Sequence, residues 1–282
     1  MHLTNREKLF LKGLGVMTII GIGSYLSYLH TEKVRDREMI KEIEFIMKDS
    51  KNQIAESNSA IKPLIKKDGA IVGQIQGTYH INKSFDLVPN DPKGDKKVVL
   101  ITIDDGPTKY AESMMNTLDK HNAKAIFFIN GIHVKNELKD VLKTEVDRGF
   151  AVGNHTWSHP YLKRISFEAA KSEIDKNSKL IEGSTGEAPK FFRAPFGEST
   201  QEERDYIKNK GMIYMNWSGS VKDWEAKSKN KDVFMNNVMK DLHPGEIILI
   251  HEHKETDMYL DELLTKIEEK GYTILDPKNI TN

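Results

Sequence analysis

The sequence contains no cysteine among its 282 residues. Disulfides, thiolate zinc sites and cysteine nucleophiles are therefore excluded, and the absence suits an exported protein that does not rely on disulfides. Net charge is also missing, since 42 basic residues face 42 acidic ones. A balanced chain exerts no overall pull on nucleic acid, so no such partner is expected; a local basic patch is left open. The length accommodates one sizeable domain plus an appendage.

Long hydrophobic runs are scarce, and one stands apart. Residues 13–29 (GLGVMTIIGIGSYLSYL) carry no charge. About 17 residues is the short end of what crosses a bilayer as a helix, at roughly 1.5 Å per residue. Tyr25 and Tyr28 stand where interfacial aromatics belong, and Lys12 is long enough to snorkel. No small-x-small cleavage site follows, so the expectation is an uncleaved transmembrane signal anchor. Residues 1–12 would then be a cytoplasmic tail, with the downstream domain held at the cell membrane on its extracytoplasmic side. The basic residues flanking the run nearly balance, so this orientation rests on the shortness of the tail. A buried core helix is the alternative. Residues 30–95 read as a charged helical stalk followed by a linker or small irregular subdomain, marked by the cluster Pro89, Asn90, Asp91, Pro92 and Gly94.

From Val98 the pattern changes. Short β-branched or aromatic runs recur at 98–103, 125–129, 150–153, 190–193, 212–217, 247–251 and 272–275. Helical patterns separate them at 110–121, 134–148, 167–182, 201–210, 232–241 and 257–270. Gly149, Gly211 and Gly271 sit at C-cap positions, and Asp257 is a candidate cap for the last helix. Alternating strands and helices imply a mainly parallel sheet. Seven strands in this length predict an α/β fold, a distorted, TIM-like (β/α)7 barrel, closed or nearly closed. An open doubly wound sheet is the structural alternative. Polar residues capable of chemistry follow the strands (Asp104, Asp105, His155, Arg193, Asp223, His251), and in β/α barrels that carboxyl face carries the active site.

Two constellations carry chemistry. TIDDGP (102–107) puts two adjacent carboxylates at a strand end, where they point in different directions and can take different roles, one on a metal and one toward substrate. NHTWSHP (154–160) spaces His155 and His159 four apart, so that on one helical turn they share a face. Two imidazoles and a carboxylate leave open positions for water and substrate, as a catalytic metal requires. Zinc suits that donor set best; cobalt, nickel, iron and manganese also fit. His121, His133 and His243 read as surface residues, and Trp157 and Trp217 as packing.

These motifs resemble the carbohydrate esterase family 4 polysaccharide deacetylases, the NodB-homology domain, over about residues 96–278. TIDDGP is similar to the family's TFDDGP, NHTWSHP to its H-[ST]-x-x-H, RAPF (193–196) to R-x-P-[YF], SVKDW (220–224) to D-x-x-D-W, and LIH (249–251) to L-x-H. The resemblance implies that Asp104 is the general base, oriented by Arg193, and that Asp105, His155 and His159 hold the metal. It implies that His251 is the general acid, charged and oriented by Asp223. Trp224 and Leu249 would form the acetyl pocket, and the backbone N–H of Phe196 would face the oxyanion. Ser220 departs from the family's first Asp in D-x-x-D-W, Glu252 follows His251 where Asp is common, and Phe196 replaces the commoner Tyr.

The implied activity is N-deacetylation of N-acetylglucosamine in peptidoglycan or a related cell-surface polysaccharide. An O-acetyl polysaccharide esterase and a catalytically weak wall-binding domain are the competing readings, the latter motivated by Ser220.

Overall fold

The computed structural model describes residues 77–281, apart from residues 136, 137 and 139. The expected tail, anchor and stalk over 1–76 lie outside the described residues. Among those described, no helix is long and apolar enough to cross a membrane.

A hairpin opens the described chain, with β1 (Tyr79–Ile81) antiparallel to β2 (Leu87–Pro89). The main sheet follows, made of β3 (Val98–Gly106), β4 (Ala125–Ile129), β5 (Ala151–Asn154), β6 (Phe191–Phe192), β7 (Ile213–Tyr214), β8 (Gly219–Ser220), β9 (Glu246–His251) and β10 (Thr273–Ile274). The order is β7-β6-β5-β4-β3-β9-β8, with β10 paired to the start of β3, and every pairing in this sheet is parallel. The helices between strands are α1 (Ala111–Lys120), α2 (Val141–Asp147), α3 (Phe167–Thr185), α4 (Gln201–Asn209), α5 (Lys231–Met239) and α6 (Lys254–Glu269).

The sheet is a curled half-barrel, consistent with the expected distorted (β/α)7 barrel, and no strand pairing joins β7 to β8 among the described residues. The run 212–217, read as one strand, pairs only at Ile213 and Tyr214. The chain then crosses to the opposite sheet edge, where Gly219 and Ser220 pair with β9. At 3.8 Å per residue, so short a crossing spans less than about 20 Å, which forces the two edges toward each other. Within the gap the Asn216 carbonyl accepts from Arg193 Nη2 at 3.0 Å.

Alternation along β3 explains where the chemistry sits. Ile101 and Ile103 pack into the cluster formed with the helices, whereas Val98 and Leu100 join a second cluster with Ile126, Phe128, Phe191 and Ile247. Thr102 and Asp104 continue the face of Val98 and Leu100, so one end of the concave interior is apolar and the other polar.

The stretch 77–95, read as a linker or small irregular subdomain, packs against this body. Tyr79 is fully buried in the interior cluster and its hydroxyl donates to the Asp95 carbonyl. Leu87 N–H donates to the Gly245 carbonyl at 2.7 Å, while the Phe85 ring lies 6.1 Å from that of Tyr214. The hairpin therefore touches both edges of the gap. Its missing alternation hid it, because three-residue strands carry almost no period.

Helix ends follow local chemistry. Ser166 caps α3 through Ala169 N–H, and Gly186 ends it at φ 85°. Thr200 and Glu203 form a reciprocal capping box on α4. Gly149, Gly211 and Gly271 all take positive φ, as expected. Asp257 does not cap α6; that helix starts three residues earlier, behind His253.

A chain beginning at residue 96 loses Tyr79 and Leu87, and burial of side chains of this size contributes about 1.5–3 kcal/mol each. It is expected to melt roughly 10 °C below a chain beginning at residue 75, at about 2–4 °C per kcal/mol for a domain of this size. Equal melting temperatures by calorimetry would show that the hairpin is dispensable.

Candidate active site

The site lies where β3, β5, β6 and β9 end. Asp104 leaves β3 almost fully buried, and Asp105 follows at φ 67° and is half-buried. That left-handed residue turns the two carboxylates apart, as adjacency alone could not guarantee. His155 and His159 follow β5. They are not on a helical turn, as the spacing predicts; the segment is a loop in which Thr156 (φ 69°) and His159 (φ 59°) are left-handed. Phe196 (φ 59°) and Lys222 (φ 54°) complete a ring of non-glycine residues in this conformation around the mouth. Such backbone costs on the order of 1 kcal/mol per residue and is held by its surroundings.

Asp105, His155 and His159 each offer one ligand atom, all within 4.8 Å of one another. Asp105 Oδ1 is 3.7 Å from His155 Nε2 and 3.5 Å from His159 Nε2. Those separations exceed hydrogen bonds. They match two donors sharing an ion, since atoms about 2.1 Å from one centre lie about 3.4 Å apart at a tetrahedral angle. His155 Nδ1 is 2.8 Å from the Arg193 carbonyl, which can only accept, so the proton sits on Nδ1 and the Nε2 lone pair faces the cluster. Burial pushes His155 down to about 3, which keeps it neutral and able to bind metal.

Asp104 and His251 are register partners on adjacent strands. Arg193 Nη1 donates to Asp104 Oδ1 at 2.7 Å and to Thr102 Oγ1 at 2.8 Å. Burial raises the Asp104 carboxyl above its ordinary value, with Arg193 and His251 opposing in part. His251 Nδ1 meets Asp223 Oδ1 at 2.6 Å, and Asp223 Oδ2 accepts from His251 N–H and Thr256 Oγ1. Burial pulls His251 down, but the bond and charge of Asp223 outweigh it and lift the imidazole to about 9. The Trp224 ring stands edge-on to His251 at 5.5 Å and is half exposed, while Leu249 is buried two residues before His251. Phe196 packs its exposed ring 4.8 Å from His159.

Ser220 leaves Asp223 fully supported; its hydroxyl accepts from Lys222 N–H instead. Glu252 ties the two strand ends together: its carboxylate accepts from Thr108 N–H, and its own N–H donates to the Asp104 carbonyl. Burial raises its carboxyl to about 7. His253 stacks on His251 at 5.4 Å. His133, read as a surface residue, is exposed but reaches the Asp105 carbonyl at 3.1 Å. His121 and His243 are held by acidic neighbours rather than free in solvent. Trp157 packs against Gly131, and Trp217 against the interior cluster.

Sequence reasoning missed the amide network behind the His loop. Asn154 Oδ1 accepts from Thr156 N–H and Asn177 Nδ2, Asn177 also donates to the Ile129 carbonyl, and Asn130 donates to the His155 carbonyl. One signal was available: Asn177 shares the buried stripe of α3 with Ala170, Ile174 and Ile181. A polar residue on an apolar stripe needs a partner.

Comparison with known proteins agrees with this geometry. The Polysaccharide deacetylase family model matches residues 91–215. The peptidoglycan-N-acetylglucosamine deacetylase PgdA of Listeria monocytogenes is 34% identical over 188 residues, 66% of this chain but 39% of that protein. The chain thus aligns with about two fifths of that relative. A peptidoglycan-N-acetylglucosamine deacetylase of Bacillus cereus is 31% identical over 187 residues, covering 63% of this chain and 68% of the relative. Among solved structures, the peptidoglycan deacetylase PdaC from Bacillus subtilis superposes with a TM-score of 0.59 at 31% identity, covering 64% of this chain and 87% of that one. A CE4 family pseudoenzyme from Bacillus anthracis gives 0.60 at 32%, covering 64% and 63%. The chain belongs to the polysaccharide deacetylase family, carbohydrate esterase family 4.

Proposed function

We propose that this protein is a divalent-metal-dependent N-deacetylase acting on N-acetylglucosamine units of peptidoglycan or a related cell-surface polymer. The observation that carries the reading is a buried carboxylate, Asp104, paired across one strand ladder with an imidazole held protonated, His251, beside a three-ligand metal candidate. The named activities of the Listeria and Bacillus relatives support the substrate class.

Asp105, His155 and His159 would hold the ion, with zinc the best fit to the donors; bound there, it supplies Lewis acidity toward the acetyl carbonyl and acidifies water. Asp104 takes the proton of the attacking water, and its raised proton affinity favours that transfer. Arg193 fixes which Asp104 oxygen remains free, because Oδ1 is already occupied. The Phe196 N–H would donate to the tetrahedral oxygen, and Trp224 and Leu249 would wall the acetyl methyl. His251 donates its proton to the departing amine nitrogen as the C–N bond breaks. Hydroxyl ends on the acyl carbon, giving acetate and a free amino sugar.

Likeness to a pseudoenzyme makes side chains rather than fold decisive, and here Asp104, Asp105, His155, His159 and His251 are all present. An acetate-release panel over peptidoglycan, chitin oligomers and O-acetylated xylan tests the reading. Release is expected from N-acetyl substrates, abolished by chelator, restored by zinc, and reduced at least about 100-fold in Asp104→Asn. Turnover confined to O-acetyl esters, or glycan binding without turnover, would favour a competing reading.

The pH profile tests the acid–base assignment. The base must be ionised and the acid protonated, so kcat/KM should fall on the acid side as Asp104 gains its proton and on the alkaline side as His251 loses its own. The alkaline limb should lie at or below about 9, since a bound dication lowers the His251 value. Asp223→Asn removes the opposing charge and should shift that limb down by at least one unit. An unmoved limb would reassign the acid.

Residues 13–29 would tether the domain to the membrane, facing outward where wall glycan lies. The uncharged run supports this. The full chain should fractionate with membranes and be shaved by external protease on wall-stripped cells; a soluble, protected protein would refute the tether.

A further inference from the structure

A cleft of about 370 Å³ adjoins the catalytic mouth. It runs from the turn of the hairpin, through Lys83 and Phe85, to Gly197 and Glu198, the residues that follow Phe196. The Phe196 ring touches the ligand His159, so the cleft begins one residue away from the metal candidate. The cleft is placed to meet a unit neighbouring a sugar that occupies the mouth, or a substituent of that unit.

Its charge is one-sided. Lys83, Lys163 and Arg204 line it against the single acid Glu198. Glu198 is engaged by Lys163 at 3.4 Å. Neither Lys83 nor Arg204 has a carboxylate partner among the described residues. Arg204 is instead held in place by neutral acceptors, donating through Nη1 to the Ser199 carbonyl at 2.7 Å and through Nη2 to Gln201 Oε1 at 3.1 Å. A guanidinium has five donors in a planar fork, so this anchoring leaves hydrogen-bonding capacity unspent. A second unspent group lies in the same wall. Asn216 donates its amide to the Gly197 carbonyl, but its Oδ1 is buried without a partner among the described residues. The Asn216 carbonyl holds Arg193, and Arg193 holds Asp104, so the cleft and the proposed base share one framework.

We infer that this cleft binds a carboxylate-bearing substituent on the sugar next to the one deacetylated, Lys83 and Arg204 taking the carboxylate. Substrate preference would then be set by the anionic neighbour as well as by the acetyl group. This rests on the deacetylase reading for its substrate class, but its recognition chemistry is a property of the cleft. The carboxylate has two sources in such a polymer, the lactyl group of a muramic sugar or the peptide attached to it.

Calorimetric binding to the full chain separates these and does not depend on turnover. Three probes serve: a tetrasaccharide of alternating N-acetylglucosamine and N-acetylmuramic acid with free lactyl carboxylates, the same glycan carrying peptides with free carboxylates, and neutral chitotetraose. At least one anionic probe should bind about fivefold or more tighter than chitotetraose, and the tighter of the two identifies the source. Lys83→Glu should erase that advantage and Lys83→Gln reduce it, with chitotetraose affinity unchanged, since Lys83 is exposed and outside the proposed catalytic set. Rising salt should shrink the advantage in the unaltered chain. Equal affinity for all three probes, or a Lys83→Glu loss shared by chitotetraose, overturns the inference. Absence of acetate release would count against the deacetylase reading alone and leaves these binding results interpretable.

Discussion

The buried contact between Arg193 and Asp104 is the constraint on which the rest of this structure depends. Both groups are almost completely out of water. Removing one partner of such a pair leaves an uncompensated buried charge, at a cost of about 3–5 kcal/mol. The guanidinium also reaches Thr102 on β3 and the Asn216 carbonyl in the gap between β7 and β8. Its plane lies over Phe128, 4.5 Å from the ring centroid. One side chain from the end of β6 therefore joins the central strand to the open edge of the sheet.

That open edge has structural consequences. A closed barrel would satisfy the backbone between β7 and β8 with another ladder. Here the guanidinium takes one carbonyl, and the hairpin over residues 79–89 touches both sides of the gap. The interior splits into an apolar layer, Val98 and Leu100 with their neighbours, and a polar layer, Thr102 and Asp104. The same alternation of β3 produces both, so the site is polar because it continues the core's own face beyond the point where apolar partners run out.

Within the polar layer, burial sorts the protons. Desolvation disfavours every charge, and the outcome depends on which partner is near. His155 faces the Arg193 carbonyl and the other two candidate ligands, Asp105 and His159, and stays neutral. His251 faces Asp223 within hydrogen-bond distance and is charged. Asp104, with Arg193 on one oxygen, keeps a proton affinity above that of an ordinary carboxylate. A neutral imidazole and a cationic one thus arise within one mouth from the same residue type, beside a carboxylate more basic than it would be in water. Glu252 and the Asn130, Asn154 and Asn177 amides hold the strand ends and the His loop in register with one another.

Much was legible in the chain itself. Periods of apolar and polar residues located most of the parallel strands and their helices, because those elements bury a face that must repeat. The order and spacing of the motifs around Asp104, His155, Arg193, Asp223 and His251 marked the candidate site, since each follows a strand. Three features were decided only by tertiary structure. The hairpin at 79–89 and the two-residue strand at Gly219–Ser220 are too short to carry a period, and they exist because the sheet offers them an edge. The His155–His159 pair meets through left-handed backbone rather than a helical turn, which needs the amide network to hold it. The opening between β7 and β8, where the buried Arg193 guanidinium holds the Asn216 carbonyl, carries no periodic signal either. Local sequence encodes which residues want burial and which can do chemistry; which hydrogen-bond partner reaches a buried charge first is a three-dimensional question, and it set the shape of this site.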